Sequence, residues 1–357
     1  MRIKKIIVVG GGPAGMMAAI RAAQLKQPVT LVEKNPALGK KLLLSGKGRC
    51  NLTNSCDLDS FLQRFSGNAQ FLRDAFKKFF NRQLMDFFQD RGLRLRVERQ
   101  QRVFPATDKS DSVLQVLKKE LERLKVNILY KRCLEDIIIR DGQVKGVKLS
   151  GGEIIPAEKI ILATGGVSYG FTGSTGEGLK LTEKSGHCVT PLKAGLVALR
   201  VKEKYPAHLK GLTLKNIRLK FSDGKKKITS AIGELLFTDK GISGPLVLTL
   251  SGRVLDWSGR NQNVFAEIDL KPGLSAEQLD NRLLREFKAG PKKSLKKALK
   301  KLLPQRLVDL FTEICAIAPD KSAAHITKSE RGKISLLLKG LRMNISGSEG
   351  IGQAMVT

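Results

Sequence analysis

The chain has 357 residues, 41% of them hydrophobic and 27% charged, enough to build two or three packed units and, with no run near the roughly 18 uninterrupted apolar residues of a span, not an integral membrane protein. Its 64 Lys plus Arg against 33 Asp plus Glu give a net charge of +31, a field that favours polyanions or anionic substrates and speaks to association rather than fold; a basic, well-solvated surface is the plainer account. Five cysteines without a CxxC or His-paired spacing exclude a disulfide framework or zinc site, so no metal is expected and a reducing cytoplasm suits the chain.

The opening MRIKKIIVVGGGPAGMMAAIRAA imitates a secretion signal, but its glycines and Pro13 break the apolar segment where a strand should turn into a helix. Ile3 to Val9 read as a buried strand, Pro13 to Leu25 as a helix with proline in its permitted first turn, and Pro28 to Lys34 as the next strand. The glycines of GGGPAG thus sit in the first turn of a βαβ unit, with Glu33 ending its second strand 18 residues after Gly15.

That setting lifts the motif above a chance match. Gly10 permits the tight turn, Gly12 lets a pyrophosphate approach backbone, and Gly15 lets helix and strand pack closely. The helix N-terminus offers unpaired N–H groups and partial positive charge to the phosphates, and Glu33 is placed to accept from ribose hydroxyls. The unit is expected to bind a nucleotide.

Leu38 to Ser55 is rich in Gly, Ser, Asn and Lys and reads as a loop long enough to have a task. Phe61 to Arg91 is helical in pattern and holds eight of the fifteen phenylalanines, most simply a small apolar core. LRLRVERQ alternates like a strand, a helix follows from Ser110 to about Lys125, and VNILY is a strand. IIIRDGQVKGVKLSGGE carries hairpin turns at DG and GG, KIILATGG is an apolar strand ending in glycines, and a helix opens near Glu177. Beyond about Leu192 strands alternate, in LVALRV, IRLKF and VFAEIDL. Pro272 to Arg331 is helical, with Leu295, Leu299, Leu302 and Leu303 on one face and lysines crowding its flanks. That lysine-rich stretch reads as a solvated face, with nucleic acid or anionic membrane as the functional alternatives.

The excursion through a helical insert and hairpins before KIILATGG favours FAD over NAD as the nucleotide, with Gly165 and Gly166 letting backbone pass close to the cofactor. LLLSGKGRCNLTN, GSTGEG and GELLFTDKGISGPLVL, in that order after the GxGxxG, resemble the YhiN-like FAD-dependent oxidoreductases, often labelled aminoacetone oxidase family FAD-binding enzymes, along nearly the whole chain. The resemblance implies an α/β fold: a two-dinucleotide-binding-type FAD domain, Rossmann-like at its βαβ unit, with an inserted β unit and a helical unit. The corresponding division is an FAD domain over 1–193 with a helical insert near 57–92, a β domain over 194–272 plus 332–357, and a helical domain over 273–331.

The same resemblance implies that Gly10, Gly12, Pro13, Ala14, Gly15, Glu33 and Lys34 line the adenosine and pyrophosphate. Lys41, Gly48, Arg49, Cys50 and Asn51 lie in the signature loop near the flavin or its phosphates, Leu134 meets the adenine through backbone, and Ala163, Thr164 and Gly165 close that side. Lys41 or Arg49 would stabilise the reduced anionic ring; ordinary surface charge is their alternative. Cys50 is a candidate redox thiol because Lys47 and Arg49 would lower its pKa, yet Cys56 is its only near neighbour, six positions on, and a packed thiol is the simpler reading. His187, His208 and His325 are isolated and read as structural. With no second GxGxxG after a strand, NAD(P)H would dock only transiently as electron donor.

The expected activity is therefore FAD-dependent oxidation or reduction of a small molecule by hydride transfer through flavin N5, the family's labels suggesting an amine or an unsaturated carbonyl. The net charge and the lysine-rich stretch near Lys296 carry a second reading, an RNA-associated flavoprotein. Relatives continue past AMVT with a further flavin-covering segment, which leaves a third, a truncated and catalytically silent FAD-domain protein.

Overall fold

Four consecutive apolar residues, Ile6–Val9, form strand β1 in the computed structural model, which describes residues 5–65, 68–259 and 263–357. Ile3 and Lys4 of the expected strand lie outside the described residues. Helix α1 (Pro13–Gln24) follows, with Pro13 in its first turn and Gly12 as N-cap, then strand β2 (Val29–Glu33). β1 is central in a four-stranded parallel sheet ordered Lys159–Leu162, β1, β2, Asn127–Tyr130, with Val8 level with both Leu31 and Ile161.

A parallel strand buried on both faces needs apolar residues at every position, and β1 has them. Val8 faces a core with Met16, Ala19 and Ile20 of α1 and Val113, Leu117 and Leu121 of the Ser110–Arg123 helix. Ile7 and Val9 face the opposite core, with Leu134, Val147, Leu149 and Leu181. Leu134 lies at the start of a three-stranded antiparallel sheet, Leu134–Arg140, Gln143–Leu149 and Ile154–Pro156. Its first turn places Asp141 and Gly142 at φ of 52° and 67°, the left-handed pair that a two-residue DG hairpin requires. In the segment before Ser110, Phe61, Phe65, Phe76 and Phe80 stack on one another with ring centroids 5.2–6.2 Å apart.

These elements belong to one compact unit, Met1–Leu192; Lys193–Thr357 is a second. In the second, an antiparallel ring runs through Thr213–Ser222, Gly233–Phe237, Gly241–Ser243, Leu199–Val201, Leu341–Ser348 and Phe265–Asp269 and returns to Thr213–Ser222. The ten-residue strand closes it by pairing on one side through Thr213, Leu214 and Ile217 and on the other through Arg218 to Ser222. The helical segment expected over 273–331 lies in this unit. Leu279, Leu283, Leu295, Leu299 and Phe311 of its helices share one buried cluster with Leu219, Phe221 and Ile268 of the ring. Among the described residues no helix is long and apolar enough to cross a membrane.

Candidate active site

The first unit carries a cavity of about 330 Å³ over the C-terminal ends of β1 and β2. Its floor follows from the glycines of the first turn. Gly10 adopts φ of +107°, and a Cβ there would stand 2.4 Å from the Ala163 carbonyl oxygen; at Gly15 one would stand 1.8 Å from the Gly10 oxygen. Only glycine lets α1 start this close to the sheet. At Gly12 a Cβ would meet nothing within 4 Å, so the turn leaves open ground before the helix N-terminus, whose first N–H groups have no intrahelical acceptor.

Glu33 is buried at the end of β2 beside this turn. Its Oε2 accepts from the Gly11 N–H at 2.6 Å, and its Oε1 accepts from the Asn35 N–H and Asn35 Nδ2, both at 2.7 Å. The carboxylate expected to serve a ribose thus also ties the glycine turn to the chain leaving β2.

The far wall is the segment from Gly165 to Leu181, held by four side chains from just beyond β2. Lys34 Nζ donates to Thr175 Oγ1 at 2.8 Å and pairs with Glu177 Oε2 at 2.9 Å. Asn35 Nδ2 donates to the Thr172 carbonyl at 3.2 Å, Lys40 Nζ to the Phe171 carbonyl at 3.3 Å, and Lys41 Nζ to the Ser168 carbonyl and Ser174 Oγ at 2.8 and 2.7 Å. The Lys34 hydrogen bond holds the Glu177 carboxyl below its usual range, whereas burial lowers the Lys41 ammonium. Cys133, also on the wall, has its thiol pushed up by burial and by the Glu177 charge.

Of the sequence-predicted residues, Gly10, Gly12, Pro13, Ala14, Glu33, Lys34, Lys41, Leu134, Ala163, Thr164 and Gly165 line this cavity. Gly15 lies behind it as packing. Gly48, Arg49, Cys50 and Asn51 are not on its wall. Arg49 is bound instead to Glu98 Oε1 at 2.5 Å and Asp108 Oδ1 at 2.7 Å, with its guanidinium carbon 4.2 Å from the Phe104 ring centroid. The expected lowering of the Cys50 pKa is reversed: the thiol is only 3% exposed, and burial raises it while Arg49 directs its charge elsewhere. Asn35, Lys40, Cys133, Ser174, Thr175 and Glu177 were not anticipated individually, although GSTGEG marked the segment holding the last three.

Two backbone approaches, a free helix N-terminus and two ammonium groups around open ground suit the diphosphate of a dinucleotide. The HI0933-like protein Rossmann domain matches residues 4–261, and the HI0933-like protein barrel and H2TH domain matches residues 193–356. The chain belongs to the HI0933-like family of FAD-dependent oxidoreductases. This HI0933-like chain is similar to the 3-dehydro-bile acid delta(4,6)-reductase of Clostridium scindens, 28% identical over 99% of this chain and 86% of that protein. The ribosomal RNA dihydrouridine synthase of Haemophilus influenzae is 29% identical over 98% of this chain and 84% of that protein. Among solved structures, the 3-ketosteroid-delta4-(5alpha)-dehydrogenase of Rhodococcus jostii has 12% identity and a TM-score of 0.45, over 90% of this chain and 80% of that one.

Proposed function

We propose that this HI0933-like enzyme holds FAD in the cavity above β1 and β2 and reduces a carbon–carbon double bond conjugated to a carbonyl, the substrate being a uracil base in RNA. The observation that carries the choice of RNA is the net charge of +31, far beyond what a small neutral substrate needs. The two relatives, a 3-dehydro-bile acid delta(4,6)-reductase and a ribosomal RNA dihydrouridine synthase, support the reaction class.

Gly12 and the N-terminus of α1 would take the diphosphate, Lys34 and Lys41 would contribute positive charge, and Glu33 would orient the adenosine ribose. When bound and reduced by NAD(P)H from solution, FAD would supply the hydride for one carbon of the double bond, and solvent the proton for the other. Ala163, Thr164 and Gly165, which line the same cavity, would lie against the cofactor. A cytoplasmic location fits this substrate and the free cysteines.

The test begins with the visible spectrum of the purified protein, where bound flavin absorbs near ~450 nm. The protein is then incubated with NADPH and ribosomal RNA transcribed in vitro, and the digested nucleosides are weighed by mass spectrometry. Dihydrouridine formation is the expected result. A flavin-bearing protein that leaves RNA unchanged but reduces a steroid enone moves the substrate to the small-molecule class; one that retains no flavin sinks the proposal.

A further inference from the structure

The lysine-rich stretch of the second unit takes no part in the cavity. Between Pro291 and Leu302 the chain carries Lys292, Lys293, Lys296, Lys297, Lys300 and Lys301 and no acidic residue. Ser294 caps a short helix, Leu295–Leu299, by accepting from the Lys297 N–H. Leu295 and Leu299 are fully inaccessible, and Ala298, Leu302 and Leu303 are buried beside them. With those apolar residues turned inward, Lys292, Lys293, Lys297, Lys300 and Lys301 are exposed and Lys296 is half-buried.

We infer that this lysine ridge is a docking surface for the phosphate backbone of RNA. Lys296 and Lys301 are engaged by Asp309 and Glu286, at 2.5 and 2.8 Å, and act as fixed posts. Lys293 just before the Ser294 N-cap, Lys297 within the helix and Lys300 at its C-cap are exposed, and make no side-chain hydrogen bond or salt bridge among the described residues. Such a row of like charges repels itself and is relieved by a polyanion. Glu286 belongs to the Ala276–Lys288 helix, so its bond to Lys301 also brings the Arg285 and Lys288 end of that helix to the ridge.

An anionic membrane is the competing partner for a basic helix, and the packing argues against it. Surface-seeking helices need an apolar face free to enter the lipid boundary. Here that face is consumed by the core, and none of the exposed large hydrophobic residues lies between 291 and 303.

This inference rests on the RNA reading above but is separable from it. The probe is ribosomal RNA transcribed in vitro, titrated with the flavin-loaded full chain across a salt series. The triple variant Lys293→Gln, Lys297→Gln, Lys300→Gln is compared with a charge-matched control, Lys225→Gln, Lys226→Gln, Lys227→Gln, which removes three exposed lysines from a hairpin turn. Equal melting temperature and flavin content establish that both variants are folded.

The ridge variant is expected to bind about tenfold more weakly, with the log–log salt slope reduced by roughly 2, at about 0.7 for each single-strand phosphate that the ridge ceases to neutralise. The control should stay near the parent. Equal losses in both variants, or no RNA binding by the parent, overturn the inference, as does loss of binding to phosphatidylserine vesicles with RNA binding unchanged. If the parent forms dihydrouridine and the ridge variant is unimpaired in binding and turnover, only the ridge is wrong. If RNA binds through the ridge and no base is reduced, only the proposed reaction is wrong.

Discussion

Lys34 Nζ stands 2.9 Å from Glu177 Oε2, joining the end of β2 to the first residue of a helix 143 positions later. Any phosphate that engages Lys34 must compete with this carboxylate. Lys34→Met should weaken FAD binding several-fold, in keeping with about 1 kcal/mol for one partly exposed charge, and Glu177→Gln should strengthen it by freeing the ammonium. Quenching of FAD fluorescence in a titration reads both; equal weakening by the two variants would mean that the pair serves only to hold the wall. The depressed Glu177 pKa gives the pH sign: the pair is intact above the ordinary carboxylate range and is lost as pH falls through the lowered value.

Gly12 and Gly15, three residues apart, should fail in different ways. Gly12→Val places a side chain on open ground, so the protein should fold with its apo melting temperature little changed while FAD retention is lost. Gly15→Ala drives a Cβ to 1.8 Å from the Gly10 oxygen and should destabilise the fold itself. A cost of about 1–3 kcal/mol or more is typical of forced overpacking. Calorimetry of the two apoproteins separates the effects.

Glu120 is buried beneath two guanidinium groups: Arg123, whose hydrogen bond is the larger cause, and Arg91 bring its pKa down to about 2. Its ion pairs therefore stabilise the fold fully above the unfolded carboxyl pKa, and that contribution is lost as pH falls below it and through the folded value of about 2. Glu120→Gln should cost about 1.5–3 kcal/mol at neutral pH, the scale of hydrogen bonds to charged groups. Urea unfolding of parent and variant should show the difference shrinking below pH ~4.5; a pH-independent difference would assign the effect to packing.

Cysteine reactivity should follow burial rather than neighbouring charge. Cys188 is exposed, whereas Cys50, Cys56 and Cys315 are buried, with the Cys50 and Cys315 thiols raised by burial. Brief alkylation read by mass spectrometry should modify Cys188 first and leave Cys50 untouched until the chain is unfolded. Rapid labelling of Cys50 would revive its candidacy as a redox thiol.

The βαβ unit was legible because its information is local: a run of apolar residues, a glycine turn and a helix with proline in its first turn follow one another within one stretch of chain. The wall opposite was not, since Lys34, Asn35, Lys40 and Lys41 find partners more than 120 positions away and no periodicity encodes such pairings. Arg49 shows a pairing hidden in the same way. A basic residue in a Gly-rich loop suggests a ligand, yet the fold brings Glu98 and Asp108 to it. The same polar loop contains a short helix, Lys40–Leu44, anchored by buried Leu42, and PLVLTLSGRVLDWS forms a helix where a run so apolar admits either period.

The closed ring of the second unit has a consequence for biosynthesis. Leu199–Val201 finds one of its two neighbours in Leu341–Ser348, about 140 positions downstream, and Phe265–Asp269 pairs with that same late strand. Among the described residues, the four strands of the first unit's parallel sheet are complete by Leu162. On the ribosome, the described strands of the first unit's parallel sheet are all made while the ring still waits with two unpaired edges, the backbone template for wrong pairings. Synthesis that pauses before residue 341 would leave those edges for chaperones to guard.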